Sequence, residues 1–194
     1  VVGADWSIHG LALHMGGLHN VENSVAAIAI AHELGIAADK IKDAIATFRG
    51  VKRRFEQVVN RPGVIYVDDY AHHPEELRAL IEGVRSLFPG KKCTVVFQPH
   101  LFTRTRDLAD EFAQSLDLAD EVVLLPIYPA REKPIPGVDA YTILNRMRNP
   151  DRKVMDKEEL MAWIGMQRPE LLVTAGAGDI DQMTMPIADI MNKN

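Results

Sequence analysis

Four short apolar runs punctuate the sequence from residue 64 onward, and each leads into a stretch with helical apolar spacing. They are Val64-Ile65-Tyr66-Val67, Thr94-Val95-Val96-Phe97, Glu121 to Ile127, and Leu171 to Thr174. Runs this short and continuous suit strands covered on both faces, and a helix after each strand lets the next run parallel to it. The repeat predicts an α/β fold with a Rossmann-like, doubly wound, mostly parallel sheet. Pro74-Glu75-Glu76 opens one helix, with proline at the first helical position and acids in the first turn. Its apolar face is Leu77, Leu80, Ile81, Val84 and Leu87. Further helices are expected through Leu108, Phe112 and Leu116, around Tyr141 to Met147, through Leu160 and Trp163, and from Asp179. Lys153-Val154-Met155 reads as a further short strand.

The chain changes character near residue 50. From Asn20 to Phe48 it reads helical, with Asn20 as an N-cap, Gly35 closing the first helix, and a second helix after Asp39 carrying Ile41, Ile45 and Phe48. Phe55 to Val59 and Val64 to Val67 then read as two strands joined by the turn Arg61-Pro62-Gly63. At 194 residues the chain is long enough for one domain, or one domain and part of another.

Composition narrows the functional class. One cysteine, Cys93, leaves no disulfide framework or Cys-based zinc site and favours a reducing compartment. The net charge of -5, without a basic stripe, argues against nucleic acid as a partner. The apolar runs are too short for membrane insertion, and no signal peptide is legible, so a cytoplasmic location is expected. The start at Val1 without a methionine suggests a processed or excised piece.

Ligands of such sheets belong at the carboxyl ends of strands. Asp68-Asp69-Tyr70-Ala71-His72-His73-Pro74 lies between a strand and a helix start, where backbone N–H groups favour an anion. Asp68 can accept hydrogen bonds from ribose hydroxyls. Alternatively, Asp69 and the histidines only cap the helix, or Asp68, His72 and His73 hold a metal in a hydrolase. Gln98-Pro99-His100 leads to Arg104 and Arg106, which can clamp a carboxylate or phosphate. Cations at a helix N-terminus oppose the macrodipole, a mismatch that favours a bound anion over simple solvation. Gly176-Ala177-Gly178 is half of a dinucleotide fingerprint, with Asp181 where the last glycine would stand, so close strand–helix packing explains it equally well. No G-x-x-x-x-G-K-[ST] loop occurs, which keeps a non-catalytic nucleotide-binding module among the readings. Met183, Met185 and Met191 read as filler of the last helix.

Taken together, Gly17-Leu18-His19-Asn20-Val21-Glu22-Asn23, Gly50-Val51-Lys52-Arg53-Arg54-Phe55-Glu56, Asp68 to Pro74, and Gln98 to Arg106 resemble the Mur ligases of peptidoglycan synthesis. The resemblance runs from about Gly17 to the Gly176-Ala177-Gly178 loop. It implies that residues 1–52 end a central ATP-binding domain and that 53–194 form a Rossmann-like amino-acid-binding domain. Within the family the motifs look like the branch joining L-alanine to UDP-N-acetylmuramate, with murein-tripeptide recycling as the alternative. The resemblance implies an ATP-dependent ligase of cell wall biogenesis, and so of cell shape and division. In it ATP, with Mg2+ held mainly elsewhere in the family's central domain, activates the muramate carboxylate as an acyl phosphate that the alanine amine attacks. It assigns His19, Asn20, Asn23, Arg54 and Asp68 to ATP, and Tyr70, His72 and Arg104 to the amino acid. Arg104 and His72 are then the catalytic candidates, and no metal ligand falls in this chain. The pattern departs at Leu101, where many relatives carry a second arginine.

Overall fold

The computed structural model describes residues 1–14, 16–48 and 50–193, and the side chains of Leu18 and His19 lie outside the described set. The chain divides into two compact units, Val1–Val51 and Lys52–Asn194.

The first unit holds α1 (Leu18–Glu33) and α2 (Ala38–Thr47). Buried Ile8, Ile28 and Ile41 form its small core. Gly17, at φ 90°, is the N-cap of α1, so Asn20 is not the cap that the spacing predicts. Asn20 lies instead in the first turn, where its amide donates to the Gly16 carbonyl at 2.6 Å and satisfies a buried polar group. Gly35, at φ 74°, does end α1, as expected.

The second unit carries β1 (Glu56–Arg61), β2 (Val64–Asp69), α3 (Pro74–Leu87), β3 (Cys93–Phe97), α4 (Phe102–Asp107), α5 (Ala109–Leu116) and β4 (Glu121–Leu124). It continues through α6 (Tyr141–Leu144), β5 (Arg152–Val154), α7 (Lys157–Gln167), β6 (Leu171–Ala175), a 3-10 turn (Asp179–Met183) and α8 (Thr184–Asn192). The strands order as β1-β2-β6-β3-β4-β5; only the β1–β2 pair is antiparallel. Three expected elements differ. The helix expected from Asp179 opens as a 3-10 turn and becomes α8 only at Thr184. The helix through Leu108 is two helices that meet there, and β4 stops at Leu124, because Pro126 has no N–H to continue a ladder.

Strand alternation builds a core on each face of the sheet. Ile65, Val67, Val95, Phe97, Val122, Leu124, Leu171 and Val173 pack with α3, α5 and α6 on one face. Tyr66, Val96, Val123 and Leu172 pack with α7 and α8 on the other, where Met183 and Met191 are core and Met185 is exposed. Chain connections leaving β2 and β3 turn to the first face, whereas the one leaving β6 between them turns to the second. That reversal opens a crevice beyond the ends of β2, β6 and β3.

Candidate functional site

The crevice is organised by charges buried beneath it. Asp68 shares the parity of Tyr66 and is fully buried. Thr174 Oγ1 donates to Asp68 Oδ1 at 2.5 Å and Arg53 Nε to Oδ2 at 3.2 Å. Tyr66 Oη stands 2.9 Å from Thr174 Oγ1, so Tyr66, Thr174 and Asp68 form one chain. Burial pushes the Asp68 carboxyl up to about 6, against the pull of Thr174 and Arg53. Each Asp68 oxygen thus already accepts one hydrogen bond from the protein. Asp69 has a structural part: Phe55 N donates to it at 2.6 Å and Ala71 N at 2.7 Å, which ties the 52–55 turn to the end of β2.

Arg53, which the sequence reading passed over for Arg54, is the hub of this turn. It sits at φ 59°, donates through Nη2 to the Gly176 carbonyl, and lies 5.2 Å from the centre of the Tyr70 ring. Arg54 is exposed and lies 5.5 Å from the same ring. Two guanidinium groups therefore stack around one aromatic side chain.

Beyond Tyr70 the aromatic groups continue. His72 meets Tyr70 edge-on at 5.1 Å and His100 at 6.1 Å, and His100 stacks on Tyr128 at 5.7 Å. The 98–101 and 126–129 segments extend the β3–β4 pairing: Tyr128 N donates to Pro99 O at 2.8 Å and Leu101 N to Tyr128 O at 3.0 Å. Leu101 is held there at φ 74°, a costly conformation for a side-chain-bearing residue. Arg104 Nη1 is 3.4 Å from His100 Nδ1. Desolvation first, then Arg104 and His72, lowers the pKa of His100 below the usual histidine value.

The dipole argument for an anion at Arg104 and Arg106 does not hold. Both occupy the last turn of the six-residue α4, where cations are favoured, and Arg106 is paired with Asp107 at 2.7 Å. Only Arg104 joins the cluster. Its helix is latched by Glu132, which accepts from Thr103 N at 2.9 Å and Thr103 Oγ1 at 2.5 Å. The Thr103 hydrogen bonds also hold the Glu132 carboxyl below the usual range. Nothing in the spacing pointed to Glu132.

Close packing accounts for the glycine loop. A Cβ on Gly178 would meet Tyr128 Cβ at 2.6 Å and Gln98 Oε1, and one on Gly176, at φ 149°, would meet Gln98 O at 2.9 Å. Gln98 ties this loop to β3, donating to Asp179 at 2.8 Å and accepting from Ile180 N at 2.9 Å.

Tyr70, His72, His100, Arg104 and Tyr128 thus come together, with Asp68 beneath the crevice and Arg53 and Arg54 around Tyr70. Asn20 and Asn23 belong to the first unit, and the His19 side chain lies outside the described residues. Among the described residues no three His, Cys, Asp or Glu side chains are grouped to hold a metal ion, so the metal reading of Asp68, His72 and His73 has no support. No helix among them is long and apolar enough to cross a membrane.

A family model described as Mur ligase, glutamate ligase domain, matches residues 53–178. The chain belongs to the Mur ligase family. This Mur ligase chain is 50% identical to the UDP-N-acetylmuramate--L-alanine ligase of Cytophaga hutchinsonii, over 92% of its own length and 38% of the relative's. With the Flavobacterium johnsoniae ligase of the same name the figures are 47%, 95% and 41%. It therefore spans about two fifths of the length of these relatives, in their C-terminal portion. Among solved structures, UDP-N-acetylmuramate-alanine ligase from Thermotoga maritima superposes with a TM-score of 0.74 at 29% identity, covering 92% of this chain and 39% of that one. A murein peptide ligase from Psychrobacter arcticus shares the fold, with a TM-score of 0.63 at 23% identity over 95% and 39% of the two chains.

Proposed function

We propose that this chain is the C-terminal part of a cytoplasmic ligase that joins L-alanine to UDP-N-acetylmuramate at the expense of ATP, in peptidoglycan synthesis. The observation that carries the reading is the convergence of Tyr70, His72, His100 and Arg104 at the crevice. One guanidinium and two imidazoles in a half-buried setting suit a small zwitterion. Arg104 pairs with its carboxylate, and His72 accepts a hydrogen bond or proton from its ammonium. The likeness to ligases named for L-alanine at 47–50% identity supports that choice of substrate.

Residues 1–52 are read as the end of the central ATP-binding domain, with His19, Asn20 and Asn23 beside the nucleotide, and 53–194 as the amino-acid-binding domain. When bound, ATP supplies the phosphoryl group that activates the muramate carboxylate. For that group this chain offers the guanidinium of Arg54, exposed and able to fork onto ribose or phosphate oxygens. Asp68, being buried, acts through Arg53. The described residues offer magnesium no cluster of ligands.

The test is a substrate panel on the complete ligase, following ATP-dependent amide formation with L-alanine, glycine and the murein tripeptide. Preferential use of L-alanine is expected. Preference for the tripeptide would move the chain to the recycling branch, and nucleotide binding without amide formation would make it a binding module.

A further inference from the structure

We propose that Glu76 is a positioning residue for His72, keeping the imidazole proton on Nδ1 so that the Nε2 lone pair is the acceptor offered to an incoming amine. His72 Nδ1 is 2.9 Å from the Tyr70 carbonyl oxygen and 3.3 Å from Glu76 Oε2. Both neighbours are acceptors only, so a neutral ring with its hydrogen on Nε2 would set the Nδ1 lone pair against theirs. Glu76 is itself fixed: the same Oε2 accepts from His72 N at 2.8 Å and His73 N at 3.1 Å at the start of α3. Burial opposes its ionisation, but these N–H groups and the neighbouring imidazoles outweigh that and hold its carboxyl below the usual range.

The histidine across the crevice is held the opposite way. His100 Nδ1 faces Arg104 Nη1, a donor only, so its hydrogen belongs on Nε2. With the rings 6.1 Å apart, one offers an acceptor and the other a donor. A ligand carrying an amine beside a carboxylate matches that pair. The groups around His72 are Glu76 of α3 and His73 just before that helix, Tyr70 with Arg53 and Arg54 around it, and, from the segment after β3, His100 with Arg104 beside it. Of these only Glu76 is a carboxylate. The amine as ligand rests on the proposed function; the tautomers do not.

Long-range 1H–15N correlation spectra of this chain with labelled histidine, recorded near about pH 8 where an ordinary imidazole is neutral, read the tautomers directly. Expected are Nδ1–H for His72 and Nε2–H for His100, and an Nε2–H tautomer at His72 overturns the proposal. The second arm is kinetic, in the complete ligase. Glu76→Gln keeps an oxygen for the two backbone N–H groups, so the melting temperature should hold. That oxygen also faces His72 Nδ1, so Glu76→Gln should keep kcat within about twofold, whereas Glu76→Ala should lower kcat roughly fivefold at unchanged KM for L-alanine, with some loss of stability. An unchanged kcat in Glu76→Ala overturns the positioning role. The spectra need no turnover, so their outcome stands apart from whether L-alanine is the substrate.

Discussion

Arg53 Nε donates to the fully buried carboxylate of Asp68 at 3.2 Å, and the same guanidinium reaches the Gly176 carbonyl. One side chain from the turn before β1 thereby joins the ends of β2 and β6, two of the three strands that end at the crevice. Burial makes this charge costly, and that gives it a pH signature. The Asp68 carboxyl ionises at about 6 in the folded chain against 3.8 when unperturbed. Between those values the folded state holds a proton that the unfolded state releases. Its contribution to stability is therefore full below the lower value and is lost as pH rises through the upper one. Asp68→Asn should remove a loss of about 3 kcal/mol across that window. Urea unfolding of both proteins at a series of pH values reads it, and a wild-type-minus-variant difference that stays flat from about pH 4 to 7 would refute it.

Gly178→Ala tests the packing account of the glycine loop. The new methyl would sit 2.6 Å from Tyr128 Cβ, an atom next to the backbone that cannot swing aside. Overpacking of this kind costs roughly 1–3 kcal/mol. Denaturant titration should show that loss, and displacement of Tyr128 should disturb His100, which stacks on it. Unchanged stability would mean that the loop is looser than its geometry states.

Much of this was legible in advance, for identifiable reasons. Runs such as Val95-Val96-Phe97 are buried on both faces, so their apolar character had no competing explanation, and Pro74 marks the start of α3 by its fixed φ. Strand-end reasoning pointed to the 68–74 and 98–106 segments because parallel strands end together, and the family resemblance picked Tyr70, His72 and Arg104 out of them. What failed depended on contacts distant in sequence. Leu108, Phe112 and Leu116 read as one helix, yet α4 is set apart by the Glu132 latch and by the backbone at Leu101. His100 and Tyr128 stood at legible strand ends, but their stacking on each other, and the bond of Glu132 to Thr103, arise from loops after β3 and β4 that pair across the sheet end. Asp68 was legible as a strand-end acid, but its burial beneath Thr174 and Arg53 was not.

Glu132 provides a test of that latch. It binds both the N–H and the hydroxyl of Thr103, the residue before Arg104. In the complete ligase Glu132→Ala should free the start of α4 and raise the L-alanine KM several-fold. Thr103→Val, which keeps the N–H bond and loses the hydroxyl, should give a smaller change in the same direction. Equal KM values for both variants and the parent, measured with ATP saturating, would remove the latch from substrate binding.

Arg104 is the sharpest test of the amino-acid site. In the proposed complex one guanidinium, that of Arg104, carries the carboxylate. Its partner in the structure is neutral: the Arg104 Nη1 contact is His100 Nδ1 at 3.4 Å, longer than a strong hydrogen bond, and Arg106 is already engaged by Asp107. Arg104→Ala in the complete ligase should therefore raise the L-alanine KM by roughly 10- to 150-fold, the loss expected for a charge-assisted hydrogen bond of about 1.5–3 kcal/mol. Arg104→Lys should recover only part, because an ammonium keeps the charge but not the planar fork. Stability should change little, since a half-buried cation in the last turn of a six-residue helix contributes weakly there. Steady-state kinetics with L-alanine varied, beside a thermal melt of each variant, separate the two effects. If Arg104 served only to stabilise α4, the melt would fall while the L-alanine dependence held, and the carboxylate would have to be bound elsewhere in the crevice.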